Sequence, residues 1–261
     1  MSMLLCVVDR TVNGVTQLHD VVYIVCDWSS TIRRFDATTH QRLTDIDVKD
    51  LRNPTDIAAC EQTSHVYVAE WPEYVWRVSS DCKDMKRCWT KSPSDTFTPY
   101  KLSVTSSRLL VTSLLANELM QLDKAGDELR RVQLPEYMRP YHAVESPSAT
   151  FIVSHKNTEL AQYQVSEVNT EGQVLRQFSG SRLSSVGHTD HIAVDSRGNI
   201  FVADRDNCRI LLLDAQLALR RVIIDEHQLN YQSPYRLCYN EQSGQLMVGL
   251  RYGVVVAVFD V

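Results

Sequence analysis

Short apolar runs recur along the chain. Each ends in a polar or small residue, and a few polar residues then lead into a second apolar run. The six leading runs cover residues 22–27, 66–70, 109–113, 151–154, 200–204 and 246–249. Their ends lie about 41 to 50 residues apart, the spacing of a repeat built from several strands. The fifth unit parses most clearly. Residues 191–194 read as an inner strand, and 195–199 as a hairpin turn in which Gly198 is free to take positive φ. Residues 200–203 are nearly all apolar, as a strand buried on both faces should be. A second turn at 204–208, a third strand at 210–213, a third turn at 214–216 and an outer strand at 219–224 complete the unit. Helical periodicity appears over no useful length.

Four strands per unit and six units predict an all-β fold, a six-bladed β-propeller of four-stranded antiparallel blades. The sixth unit has strands at 235–239, 245–248 and 254–259, and no outer strand before Val261. Residues 3–8 form an apolar run ahead of the first unit with no partner there. Pairing that run with the last blade removes two exposed edges. The ring is therefore expected to be closed by the N-terminal strand, with residues 1–261 forming one propeller domain.

Residues 191–210 carry a more specific pattern. Ile192-Ala193-Val194-Asp195 is followed by Gly198-Asn199, by Val202-Ala203-Asp204 and by Asn207-Cys208-Arg209-Ile210. This segment resembles an NHL repeat. The second unit is a fainter copy, with Asp56-Ile57-Ala58, Val68-Ala69-Glu70 and Val75-Trp76-Arg77-Val78, and the first keeps Cys26-Asp27 and Ile32 to Asp36. Ser113, Ser154 and Gly249 replace the acidic residue in the third, fourth and sixth units. The resemblance implies an ion pair between Asp204 and Arg209 that staples blade turns. NHL propellers occur as the C-terminal partner-binding or RNA-binding domain of tripartite-motif ubiquitin ligases, and resemble the catalytic propeller of the peptide-amidating lyase. No RING, B-box or coiled-coil segment accompanies the repeats, so ligase activity would have to come from elsewhere.

In a propeller, the loop entering each inner strand and the loop joining strands two and three share one face. The entries here are residues 54–56, 99–101, 140–142, 189–191 and 234–236. A Pro-Tyr pair recurs, giving Tyr100, Tyr141 and Tyr235. Asp56, Lys101, His142, His191 and Arg236 should ring the mouth of the central channel, and the first blade has no clear equivalent. The second set of loops adds Trp28, Trp71, Tyr74, His155, Lys156, Arg205, Asp206, Arg251 and Tyr252. Aromatic and arginine side chains anchor binding surfaces. Expected partner contacts are therefore Tyr100, Lys101, Tyr141, His142, His191, Arg236, Trp28, Trp71, Arg205 and Arg251. The competing reading is that each tyrosine packs on the neighbouring blade and donates one hydrogen bond. His142 and His191 occupy matching places in adjacent blades, and with His155 or Asp190 they could hold zinc. The spacing is not diagnostic, and a channel histidine is more often hydrogen-bonded than metallated, so no metal and no cofactor is expected.

Apolar residues make up 44% of the chain and charged residues 23%, a globular composition. The net charge of -5 argues against DNA, whereas a basic sector of Lys101, Arg205, Arg236 and Arg251 leaves RNA as a weaker possibility. No run of about 18 apolar residues exists, so no membrane association is expected. The start lacks a basic n-region and runs into Asp9 and Arg10, and reads as a strand. Seven cysteines without a Cys-x-x-Cys pair, and a lone sequon spoiled by Pro54, favour a cytoplasmic setting. Lys83 to Arg87, between Cys82 and Cys88, reads as a solvated outer turn, and Arg130, Arg131, Arg220 and Arg221 as charges protecting outer strands. No Gly-rich phosphate loop, Ser/His/Asp signature or paired-carboxylate motif appears, and no gluconolactonase-type Glu/Asn/Asp cluster can be assembled. The leading expectation is a non-enzymatic binding module that presents its loop face to a protein or peptide. The alternatives are a metal-dependent hydrolase or lyase acting at the channel mouth, and an RNA-binding propeller.

Overall fold

The computed structural model describes residues 3–7, 10–105, 107–178, 180–181, 184–251 and 255–261. Tyr252 lies outside the described residues. Six four-stranded antiparallel sheets make a six-bladed β-propeller. Blade 1 consists of Val12–Leu18, Val21–Cys26, Thr31–Asp36 and Ile46–Asp47, and blade 2 of Pro54–Cys60, His65–Glu70, Tyr74–Ser79 and Met85–Thr90. Blade 3 follows with Pro99–Val104, Leu109–Ser113, Glu118–Leu122 and Glu128–Gln133, and blade 4 with Met138–Glu145, Phe151–Asn157, Gln162–Val168 and Val174–Phe178. Blade 5 has Thr189–Val194, Ile200–Asp204, Arg209–Leu213 and Leu219–Ile224. Blade 6 has Pro234–Asn240, Gln245–Leu250 and Val255–Asp260, with Met3–Val7 as its outer strand. Met3 pairs with Val258 and Val7 with Val255, so the N-terminal strand closes the ring.

The apolar patterning explains the layering. Second strands such as Leu109–Ser113 and Ile200–Asp204 are buried along their whole length between neighbouring blades. Each interface is apolar: Tyr23 and Val25 of blade 1 meet Ile57, Val66 and Val68 of blade 2, and Val12 and Ile24 meet Met247 and Val256 of blade 6. Each such large side chain contributes about 1.5–3 kcal/mol by leaving water. Outer strands are exposed, as in Leu219–Ile224, where Arg220 and Arg221 face solvent.

Every inner strand shifts register near its start. The irregularity falls between Val12 and Gly14, Pro54 and Asp56, Pro99 and Lys101, Pro140 and His142, Thr189 and Ile192, and Pro234 and Arg236. A bulge sets two residues opposite one and re-aims a side chain. Proline is tolerated there because it opens the strand. Gly14 therefore fills the first blade's place in the channel ring, where the sequence showed no equivalent. A Cβ on Gly14 would lie 2.7 Å from the Ile57 backbone nitrogen, so blade 1 closes on blade 2 only because that residue has no side chain.

Two local expectations change. The second strand of blade 4 runs on to Asn157, so His155 and Lys156 belong to a strand and not to a loop. The outer strand of blade 2 starts at Met85, and the Arg87 guanidinium stacks on Tyr74 at 4.0 Å instead of standing free in a turn. Among the described residues no disulfide forms, and no helix is long and apolar enough to cross a membrane.

Candidate functional site

The bulge in each inner strand turns one residue into the channel. His142 and His191, from adjacent blades, stack with ring centroids 3.7 Å apart and planes 15° from parallel. The Asp56 carboxylate lies 3.7 Å from His191 Nε2, too long for a hydrogen bond, and accepts one of 2.9 Å from the Leu102 backbone N–H. Lys101 Nζ donates to the Thr55 carbonyl, and Arg236 Nε to the Asn13 carbonyl. Arg236 also donates to the Tyr235 carbonyl at 2.8 Å, and its guanidinium sits 3.5 Å from the Tyr235 ring centroid. The expected mouth residues thus do converge, but below the surface: Asp56, Lys101, His142, His191 and Arg236 are all buried.

Protonation follows from burial and from the neighbours. Burial opposes the Asp56 charge, but Lys101, His191 and Arg236 outweigh it and hold the carboxyl well below the usual range. Burial and then the Arg236 charge push Lys101 well below the ordinary lysine range, against the pull of Asp56 and Asp190. Burial keeps His142 and His191 neutral-leaning as well. His142 Nδ1 accepts from the Ile192 N–H at 3.3 Å, and Nε2 stands 3.2 Å from the Leu102 carbonyl. The ring is therefore the neutral Nε2–H tautomer, with no lone pair to spare.

That tautomer decides the fit of a metal. Asp56, His142 and His191 bring their ligand atoms within 4.8 Å of one another, and Asp56 was missing from the sequence-based metal set. His142 has no free donor, and Lys101 and Arg236 bring positive charge to the same carboxylate. Two remaining donors beside two cationic side chains do not make a zinc site, which needs three or four ligands. His155 lies elsewhere, buried in blade 4 with Nε2 2.8 Å from Ser166 Oγ. Asp190 is engaged with His188 at 3.0 Å and Arg205 at 2.9 Å.

The tyrosines divide. Tyr141 is buried against His188 at 4.5 Å and Tyr163 at 6.1 Å, as the packing reading required. Tyr100 and Tyr235 are half-buried, and with Lys101, Arg236 and Arg251 they line a cavity of about 280 Å³ at the channel mouth. Arg205 is half-buried, held by Asp190 and by Asp206 at 3.2 Å.

The loop face lies around this mouth. Backbone bonds such as Trp71 N to Asn53 O and Arg251 N to Ser233 O tie the turns after the second strands to the inner-strand entries, which fixes both on one side. Trp28 is 66% exposed there and Trp71 44%, and Leu115, Leu160 and Tyr231 are similarly open. Leu115 and Leu160 occupy the same turn in blades 3 and 4 as Trp28 and Trp71 do in blades 1 and 2. Sequence patterning missed them because a lone apolar residue in a turn carries no periodicity. The turns on the opposite face show Glu61, Ser107, Ser148, Arg197 and Gln242 to solvent. Between blades 1 and 2 a groove of about 500 Å³ runs between Trp28, Trp71, Tyr74 and Arg87, with Arg52 and Glu73 along it. In blade 5 the Asp204–Arg209 ion pair is present at 2.7 Å, and Asn207 Nδ2 also donates to Asp204.

No protein-family model matches the sequence, and no curated protein matches it. Solved structures do. The chain is similar to a gluconolactonase from Xanthomonas campestris at 12% identity, with a TM-score of 0.74 over 98% of this chain and 88% of that one. It is similar to virginiamycin B lyase from Staphylococcus aureus at 11% identity, TM-score 0.70, over 96% and 80% of the two chains. A chain of the nidogen/laminin complex matches at 14% identity, TM-score 0.67, over 88% and 84%. At such identities the likeness is one of fold: the chain shares the six-bladed β-propeller with enzymes and with a protein of a protein–protein complex.

Proposed function

We propose that the protein is an NHL-type propeller that binds a polypeptide through its loop face and catalyses no reaction. The observation that carries this reading is the side on which apolar side chains stand exposed. Trp28, Trp71, Leu115, Leu160 and Tyr231 open onto one face, around the channel mouth, while the opposite turns expose no large apolar side chain among the described residues and the others, such as Leu129 and Leu175, are scattered over the outer strands. Apolar exposure rimmed by polar groups marks interaction sites, and aromatic and arginine anchors carry most interface energy. The groove beside Trp28, with aromatic walls and both charge signs, suits an extended peptide with mixed side chains. The saturated His142 ring weighs against a metal-dependent lyase or hydrolase in the channel. The absence of a disulfide among the described cysteines supports a reducing, cytoplasmic setting.

The test is a photo-crosslinking scan. A photoreactive residue at Trp28 or Trp71 should capture a defined polypeptide, and one at Leu129 or Leu175 on the outer strands, or at Gln242 on the opposite face, should not. Equal capture at all positions, or at the outer strands alone, would move the working surface elsewhere.

A further inference from the structure

We propose that the channel mouth is a binding site for a small organic carboxylate, held by Arg236 and Lys101 between the rings of Tyr100 and Tyr235. The cavity there measures about 280 Å³, just under the range of about 300–1,000 Å³ typical of drug-sized ligands. Its size suits a small acid and not a peptide segment. Its floor holds two basic side chains, and an anion there would favour the charged form of Lys101, which burial and Arg236 otherwise oppose. Lys101 and Arg236 are each 1% exposed, yet neither forms an ion pair among the described residues. Lys101 Nζ has the Thr55 carbonyl alone, and Arg236 spends Nε and one Nη on the carbonyls of Asn13 and Tyr235. The second Nη of Arg236 has no acceptor among the described residues.

Buried charges are ordinarily paired. Asp56 and Asp190 both act on the two side chains, but Asp56 also receives the Leu102 N–H and faces His191, and Asp190 is already bound to Arg205 at 2.9 Å. Two buried carboxylates thus serve three basic side chains, two of which open onto the same cavity. An anion in that cavity would supply the missing counter-charge. The Arg236 guanidinium carbon sits over the Tyr235 ring, 3.5 Å from its centroid, and a planar guanidinium fork matches a planar carboxylate. The Lys101 ammonium, 4.6 Å from the Tyr100 ring centroid, would meet the same group from the other side. The ring faces supply apolar walls for a short carbon skeleton. Asn13 lines the cavity as a neutral donor, and Asp27, half exposed on the wall, disfavours large polyanions.

Calorimetric titration and thermal unfolding of the purified chain test this directly, with succinate, malonate and inorganic phosphate as probes and chloride at equal ionic strength as the control. Saturable binding of a dicarboxylate with a matching rise in Tm is the expected result, weakened about tenfold or more in Lys101→Met and in Arg236→Met. Lys101→Met keeps the assay informative if Arg236→Met folds poorly. Neither carboxylate exceeding chloride would overturn the proposal, as would binding that survives Lys101→Met at full affinity. Phosphate binding more tightly than both acids would overturn the carboxylate assignment. Because no polypeptide enters the experiment, its outcome is separate from that of the crosslinking scan.

Discussion

His155→Gln should flatten the acid sensitivity of the fold. His155 is fully buried in blade 4, with Nε2 2.8 Å from Ser166 Oγ and Nδ1 without a partner. Burial holds its pKa at about 4, against 6.5 for a free histidine. Above 6.5 the folded and unfolded chains both carry the neutral ring, and stability is complete. As the pH falls from 6.5 to 4 the unfolded chain takes up a proton that the native state refuses, so stability drains away in that window and levels off below it. A fall from 6.5 to about 4 corresponds to about 3 kcal/mol. His142 and His191, held low by the same cause, add in the same direction. Gln keeps a hydrogen-bonding group near Ser166 and cannot be protonated. Urea unfolding followed by tryptophan fluorescence, between about pH 7 and about pH 4, measures the effect. Wild type should lose several kcal/mol across the range, and His155→Gln about 3 kcal/mol less. An identical pH dependence in the two proteins, or a wild type that gains stability on acidification, would refute the reasoning.

Two further outcomes follow from the ring. Gly14→Ala places a Cβ 2.7 Å from the Ile57 nitrogen, and should lower stability by roughly 1–3 kcal/mol in urea unfolding; a neutral result would show that blades 1 and 2 can part at no cost. Removing residues 1–9 strips the outer strand from blade 6, and gel filtration should then show self-association with loss of cooperative unfolding, whereas a stable monomer would mean that closure does not hold the ring.

The blades were legible because strand periodicity survives in each unit: the outer strand expected at residues 219–224 is Leu219–Ile224. Blade 4 misled because its second and third strands extend further, pairing Asn157 with Gln162, which draws His155 from an apparent loop into the core. The channel residues were legible in place but not in depth. Lys101, His142, His191 and Arg236 were aligned correctly on the channel, yet pattern alone says nothing of how closely six strands converge. Tyr141 shows the consequence. Packed on His188 and Tyr163, it cannot act as a surface anchor, and its removal with Arg236 would damage the fold before it touched a partner. The contact of Asp56 with His191 joins residues distant in sequence, which no local motif reports. Nor could Leu115 and Leu160 be found without knowing that their turns stand on the same side as Trp28 and Trp71.

The central claim is that the apolar loop face is the working surface. Its most direct test is the affinity of the polypeptide captured at Trp28 for the double variant Trp28→Ala/Trp71→Ala. Loss of two exposed aromatic anchors should weaken binding at least tenfold, about 1.4 kcal/mol or more, with Tm nearly unchanged, while Leu129→Ala/Leu175→Ala on the outer strands leaves affinity intact. Full affinity in the tryptophan double variant, or an equal loss in the outer-strand variant, would contradict the account.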